Sequence, residues 1–321
     1  MSREWIKNLR NIEPYIPGEQ SKDKNIVKIN ANENPYPPSP MAVLKSFDAN
    51  NLRFYPNANS TKLKEAIAKF YGVGVENVFV GNGSDDVLAV AFQSFFNSDK
   101  PIVYPDLTYS FYPVWCSLFG IKYKTYPVDD NFRINPEDYK EQNGGVVIPN
   151  PNAPTSLGEG LDFVEKILDY NNDSVVIIDE AYVDFGGTSS VSLIEKYENL
   201  LVTGTFSKSR SLAGLRIGFA IGSKTLIDVM EAVKNSYNSY TVDSLSIEMG
   251  TASIEDKEYF EETCKKVIKT RTRVTDELRL LGFDVLDSQT NFVFATHNEH
   301  NMKSLFEYLK TQKVFIRYFS L

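Results

Sequence analysis

Between residues 61 and 229 the chain alternates short β-rich runs with stretches of helical periodicity, and the runs are apolar at consecutive rather than alternate positions. Val78-Phe79-Val80, Ile102-Val103-Tyr104, Val146-Val147-Ile148, Val175-Val176-Ile177-Ile178, Leu200-Leu201-Val202 and Ile217-Gly218-Phe219-Ala220-Ile221 all read this way. A strand that is apolar on both faces has to be covered on both faces, which is the condition of a mostly parallel sheet inside a layered α/β domain. The covering helices are legible as well. Leu63, Ile67 and Phe70 form one stripe at helical spacing, and Val87, Leu88, Ala91, Phe92 and Phe95 form another. The expected fold class is therefore α/β, with a large domain whose mostly parallel sheet is flanked by helices.

The texture changes after about Lys234. A long charged helix over Lys257 to Leu281, strand-like Phe283-Asp284-Val285 and Asn291-Phe292-Val293-Phe294-Ala295, and a helix ending near Gln312 predict a smaller α+β domain over 241–321. The large domain then spans 45–240. Residues 1–44, with Asn and Pro concentrated in Asn30-Ala31-Asn32-Glu33-Asn34-Pro35-Tyr36-Pro37-Pro38, read as an extended arm and part of the small domain, because proline stops both helix and central strand. A length of 321 residues fits this division, since single cores stop growing at about 250–300 residues. The apolar run Val314-Phe315-Ile316-Arg317-Tyr318-Phe319 stands almost at Leu321, which leads us to expect that the small domain is truncated here.

Composition narrows the function. With 42 acidic against 34 basic side chains the net charge is −8, which argues against nucleic acid or an anionic membrane as partner. The start, Met1-Ser2-Arg3-Glu4-Trp5-Ile6-Lys7-Asn8, has no apolar signal core, and no run approaches the roughly 20 residues needed to span a bilayer, so a cytoplasmic protein is expected. The two cysteines, Cys116 and Cys264, supply no zinc-thiolate cluster and read as packing residues. The two histidines, His297 and His300, lie together in a polar stretch without a Gly-x-Ser-x-Gly turn anywhere to complete a triad. Proton chemistry must then fall to lysine, tyrosine or a cofactor.

Three strand ends carry candidates. Val175 to Ile178 runs directly into Asp179-Glu180-Ala181-Tyr182, placing a carboxylate where open α/β sheets bind ligands. A buried carboxylate needs a cation or takes up a proton. Leu200 to Phe206 delivers Ser207-Lys208-Ser209 to the same edge, and a desolvated lysine can act as a nucleophilic amine. Val78 to Val80 ends in Gly81-Asn82-Gly83-Ser84-Asp85-Asp86, a glycine turn opening a helix, where free amides and the helix dipole attract phosphate. Taken singly, each has an ordinary explanation: an ion pair, a solvated lysine, an acidic first turn. A nicotinamide dinucleotide would want a third glycine where Asp86 stands. Together, a phosphate cradle completed by Arg216 and Ser207, a carboxylate for a ring cation and an imine-forming lysine meet the demands of pyridoxal 5'-phosphate.

Several segments also carry a resemblance to a known family. They are Asn30-Ala31-Asn32-Glu33-Asn34-Pro35, Tyr55-Pro56, Gly81 to Asp85, Asn150-Pro151-Asn152-Ala153-Pro154-Thr155, Asp179 to Tyr182, and Ser207-Lys208 through Ala213-Gly214-Leu215-Arg216-Ile217-Gly218. In order and spacing they resemble the fold type I pyridoxal-phosphate aminotransferases, most closely the histidinol-phosphate branch, along the whole chain. The resemblance implies that Lys208 bonds the cofactor aldehyde and then moves a proton between substrate and cofactor carbons. It implies that Asp179 keeps the ring nitrogen protonated, that Tyr182 bonds the phenolic oxygen and that Tyr109 stacks on the ring. Gly83, Ser84, Asp85, Ser207 and Arg216 would hold the phosphate, joined by Tyr55 from a second subunit, which makes a homodimer part of the expectation. Arg317 would face the substrate phosphate, with Asn32 and Tyr240 lining the substrate.

The implied activity exchanges amino and keto groups between histidinol phosphate and glutamate or 2-oxoglutarate, a step of histidine biosynthesis. Threonine-phosphate decarboxylation, aromatic transamination and cofactor binding without turnover are the neighbouring possibilities. Two departures stand out. Ala153 occupies the family's asparagine position, leaving Asn152 as the candidate for the amide contact to the phenolic oxygen. The family arginine for the substrate carboxylate has no counterpart before Leu321.

Overall fold

The consecutive-apolar runs pair into one sheet of seven strands, in a computed structural model that describes residues 10, 12–17, 19, 23, 25–42 and 49–320. After a short β1 in the arm (Val27–Lys28), the chain lays down β2 (Val78–Gly81), β3 (Ile102–Pro105), β4 (Tyr123–Tyr126), β5 (Gly145–Pro149), β6 (Val176–Asp179), β7 (Leu200–Thr205) and β8 (Gly218–Gly222). Their spatial order is β2-β8-β7-β6-β5-β3-β4. Pairing is parallel from β7 through β6, β5 and β3 to β4, while β8 runs antiparallel to both of its neighbours. The strand the sequence left unread is β4. It lies at the sheet edge with Tyr123, Lys124 and Thr125 exposed, so it lacks the doubly buried signature of the others.

Side-chain alternation divides the core in two. Val80, Val103, Val146, Ile148, Val176, Ile178, Leu200 and Val202 face one layer, which includes α1 (Thr61–Tyr71) and, further along the chain, the helix over Leu161–Tyr170. Phe79, Ile102, Tyr104, Val147, Ile177, Leu201 and Ala220 face the other, built on α2 (Ser84–Phe95), α3 (Tyr112–Phe119) and a helix over Lys224–Asn235. With Leu161–Tyr170 as α4 and Lys224–Asn235 as α5, the next helix, α6 (Ser244–Glu255), also belongs to the first layer: Val242, Ile247 and Ile254 are buried with it, so this packing continues past residue 240. Cys116 and Cys264 are both buried, and burial pushes each thiol up to about 12.

Beyond α6, Asp256 caps α7 (Lys257–Leu280) by accepting from the Tyr259 amide at 3.3 Å. A two-stranded antiparallel pair, β9 (Asp284–Val285) with β10 (Ala295–Thr296), and α8 (Met302–Thr311) follow. The strand expected over Asn291 to Ala295 is narrower than the sequence suggested. Ser288 and Thr290 hydroxyls donate to the Phe292 carbonyl at 2.6 and 2.9 Å, diverting it from any ladder. Finally β11 (Val314–Phe315) pairs in parallel with β1, stitching the arm to this unit. Of the expected arm, residues 1–9, 11, 18, 20–22, 24 and 43–44 lie outside the described residues, as do 45–48 and Leu321. Among the described residues no helix is long and apolar enough to cross a membrane.

Candidate functional site

The parallel register sets the site. Asp179 ends β6 opposite Pro149 on one side and Thr203 on the other, so it stands at the carboxyl edge of the sheet. It is only 5% exposed. Its oxygens accept from the Tyr112 hydroxyl at 2.9 Å and the Thr203 hydroxyl at 3.3 Å, with the Ala181 amide adding a third donor. Burial pushes its pKa up to about 6, against the opposing pull of these donors. No lysine or arginine among the described residues forms an ion pair with it. Neutral donors alone leave a buried anion under-compensated, and a cationic ring N–H is what would complete it.

Lys208 leaves a turn that follows β7. Its Nζ donates to the Ala31 carbonyl at 3.1 Å and lies 5.6 Å from the centre of the Tyr182 ring. Tyr182 follows Asp179 by three residues, so the amine and the carboxylate share one end of the sheet. The Tyr182 hydroxyl accepts from Asn32 Nδ2 at 3.1 Å, and its ring packs edge-on to Phe292. Asn32 is fixed in turn by Asn291, whose Nδ2 donates to its carbonyl at 2.9 Å. Asn34 Nδ2 holds the Lys208 carbonyl at 2.9 Å.

The glycine turn between β2 and α2 forms the third side. Gly83 has φ +87°, and a Cβ built there would come within 2.5 Å of the Arg216 guanidinium. A Cβ on Gly218 would fall 2.3 Å from the Gly83 carbonyl carbon and the Ser84 amide nitrogen, so β8 and the turn touch backbone to backbone. Arg216 itself holds φ 51°, a left-handed conformation that an arginine adopts at a cost of about 1 kcal/mol or more. Its guanidinium donates to Ser207 Oγ at 3.4 Å and pairs with Asp85 Oδ2 at 3.1 Å. The other Asp85 oxygen accepts from the Tyr109 hydroxyl at 2.9 Å. The Asp85 carboxylate would repel a phosphate, so its contribution to a cradle is its backbone amide at the helix start, while its side chain seats Tyr109 and Arg216. Tyr109 is also wedged edge-on to Tyr112 and Trp115.

Pyridoxal phosphate fits this set on observations beyond the motifs. Asn152, 2% exposed, gives its Nδ2 to the Leu107 carbonyl at 2.9 Å, yet its Oδ1 has no partner. The Thr108 hydroxyl beside Tyr109 is likewise buried and unpartnered. Buried polar atoms left unmet at the strand ends, beside an under-compensated carboxylate at the same sheet edge, are accounted for by a molecule bound there. Asn152 Nδ2 being committed to Leu107, the amide contact expected of it would require that bond to be exchanged.

The remaining expected residues lie further out. Within one chain Tyr55 stacks on Tyr240 at 4.5 Å, with Tyr55 80% exposed, and the cradle's hydrogen bonds are made without either. Arg317 is exposed and donates to the Ile16 carbonyl at 3.5 Å. It lies two residues beyond β11, the strand that pairs with β1 of the arm. Sequence reasoning missed Tyr112, Thr203, Asn34 and Asn291. Only Thr203 had a local signal, a hydroxyl interrupting the apolar run of β7.

A profile of the aminotransferase class I and II family matches residues 24–321. The chain is 54% identical to a histidinol-phosphate aminotransferase of Acinetobacter baumannii (strain SDF), over 99% of this chain and 90% of that one. A solved histidinol-phosphate aminotransferase from Sinorhizobium meliloti, in complex with pyridoxal-5'-phosphate, superposes with TM-score 0.83 at 22% identity, covering 92% of this chain and 83% of that one. L-threonine-O-3-phosphate decarboxylase from Porphyromonas gingivalis superposes with TM-score 0.69 at 21% identity, covering 81% and 82%. The fold is therefore common to both reaction types.

Proposed function

The chain belongs to the aminotransferase class I and II family, and from that premise we propose that it is a pyridoxal-phosphate-dependent enzyme exchanging the amino group of histidinol phosphate with 2-oxoglutarate. The observation that carries this reading is the convergence of Lys208, Asp179 and the Gly83–Arg216 cradle on one sheet edge. Identity of 54% to a histidinol-phosphate aminotransferase supports the choice of substrate.

Bound at this edge, pyridoxal phosphate would supply an aldehyde that condenses with amines and a ring that takes up electrons from the substrate carbon. Arg216, Ser207 and the amides of Ser84 and Asp85 hold the phosphate. Asp179 would keep a proton on the ring nitrogen, whose charge would in turn stabilise the carboxylate form. Tyr182 donates to the phenolic oxygen from a position fixed by Asn32. Tyr109 would cover one ring face. Lys208 would hold the cofactor through its Nζ, and the same amine would serve as the base for the proton at the reacting carbon. Arg317 offers a planar fork to the substrate phosphate, with Asn32 and Tyr240 along the substrate. The enzyme works as a cytoplasmic homodimer, Tyr55 reaching the cradle of the partner subunit. The exposure of Leu52, Phe54, Tyr55, Tyr237 and Tyr240 is an apolar surface that such pairing would cover.

The test is to supply histidinol phosphate with 2-oxoglutarate and to follow glutamate, beside a parallel reaction with threonine phosphate in which carbon dioxide is followed. Glutamate formed only with histidinol phosphate is expected; carbon dioxide release without keto-acid turnover would overturn the assignment. Lys208→Ala is expected to abolish both turnover and covalent capture of the cofactor by borohydride, read by mass spectrometry. Capture that persists would place the reactive amine elsewhere.

A further inference from the structure

Two residues after the lysine stands an arginine for which the mechanism has no use. Arg210 is 7% exposed. Its guanidinium lies 3.7 Å from the centre of the Phe260 ring and 4.7 Å from that of Phe70, and donates to the Ser253 carbonyl at 3.0 Å. Asp184 and Asp256 are near enough to be felt, yet neither forms an ion pair with it. A buried cation held by ring faces and one carbonyl is a costly way to fill space, and an aliphatic side chain would pack there more cheaply. What the guanidinium does provide is direction, because it must meet two rings and a carbonyl at once.

Phe70 belongs to α1, and the two nearer partners belong to the helices that follow the large sheet. Ser253 lies in α6 and Phe260 in α7, on either side of the Asp256 cap. Arg210 itself belongs to the turn that carries Lys208, closed by the Leu212 amide donating to the Phe206 carbonyl at 3.0 Å and containing Ser211 at φ 59°. Other elements hold the same turn. Asn34 of the arm bonds the Lys208 and Ser209 carbonyls, and Asp184, just beyond Tyr182, accepts from the Ser209 hydroxyl. The lysine is thus held through its main chain, and Arg210 is the tether from that main chain to the α6–α7 junction.

We propose that Arg210 is a positioning residue for Lys208, fixing the direction in which the lysine leaves its turn by fastening the turn to the junction of α6 and α7. The inference rests on the reading of Lys208 as the cofactor-bonding amine. A slack turn would still offer an amine, but one less well aligned with the aldehyde and with Tyr182.

The holoenzyme and its Arg210→Met and Arg210→Lys variants decide it. Arg210→Met, similar in length and uncharged, is expected to load cofactor but to shift the pH midpoint of the bound cofactor's absorbance by about one unit. Its kcat should fall about tenfold with KM for the amino donor within about twofold, and Arg210→Lys should recover part of both losses. A folded Arg210→Met enzyme with unchanged midpoint and kcat would overturn the proposal and leave Arg210 as packing. Should Arg210→Met fail to fold, Phe260→Leu, which removes only the nearer ring, takes its place under the same criterion. If the wild-type protein captures no cofactor on Lys208, the functional reading fails and this inference with it. If capture is normal and the variants match wild type, the inference alone fails.

Discussion

Glu231 and Asp179 are both carboxylates withdrawn from water, and they differ in what meets them. Glu231, on α5, is gripped by Lys64 of α1 on one oxygen and by Lys234 at 2.8 Å on the other, and both lysine side chains are at most 10% exposed. Lys234 also donates to the Ala58 carbonyl at 3.0 Å. Asp179 meets only hydroxyls and an amide. Asp179 is the more deeply buried, 5% exposed against 18% for the Glu231 side chain, yet the chain neutralises the charge of Glu231 itself and, among the described residues, brings no cation to Asp179. The first arrangement serves standing structure; the second stores an unmet demand that a ligand can satisfy.

Substitution should separate the two. Asp179→Asn is expected to lower kcat/KM about a thousandfold, roughly 4 kcal/mol of transition-state stabilisation, because the amide cannot keep the ring nitrogen protonated. Steady-state rates of Glu231→Gln should stay within about twofold of wild type. Equal losses in the two variants would erase the contrast. The reverse holds for folding. Glu231→Gln strands two buried ammonium groups and should destabilise the protein by about 3 kcal/mol in denaturant unfolding.

The cofactor-free protein gives a pH signature of the same contrast. Asp179 is raised from 3.8 to about 6 and its neighbour Glu180 from 4.5 to about 7, both by burial. The folded chain thus binds these protons more tightly than the unfolded chain. Their contribution to stability is complete below about pH 4 and is lost as pH rises through 6 to 7, by about 3 kcal/mol for Asp179. Asp179→Asn should flatten that part of the decline, and bound pyridoxal phosphate should also weaken it. A cofactor-free protein whose stability from these groups rises across that window would contradict the burial argument. Smallest of all, Tyr112→Phe deletes one donor to Asp179 and should cost about 1 kcal/mol at pH 8, read as a shift in unfolding midpoint.

Legibility in the sequence follows the same physics. Asp179, Lys208 and the Gly81 to Asp85 turn could be located because each interrupts or ends a run of consecutive apolar residues, and such runs are rare outside doubly covered strands. Asn34 could not, since its bond to the Lys208 carbonyl spans 174 residues and depends on how the arm returns over the sheet. Tyr112 reaches Asp179 from a helix on another layer, a juxtaposition that exists only once the sheet order is set. The β4 edge and the side-chain-bonded turn around Phe292 escaped for a local reason. Their backbone is governed by solvent or by hydroxyls rather than by a hydrophobic pattern. The Asp85 side chain, which meets Tyr109 and Arg216, was not legible either, because position in a helix start says nothing of which oxygen meets which neighbour.

The close passage of Gly218 beneath Gly83 has a practical corollary for anyone who would retarget the enzyme to a different anion. No side chain larger than hydrogen fits at 218 without prising the turn away from β8, and Arg216, two positions upstream on that strand's approach, would be carried off with it. Laboratory evolution is therefore closed at 218 and must search at Ser84 or Ser207, where a new side chain can alter the cradle while its walls stay put.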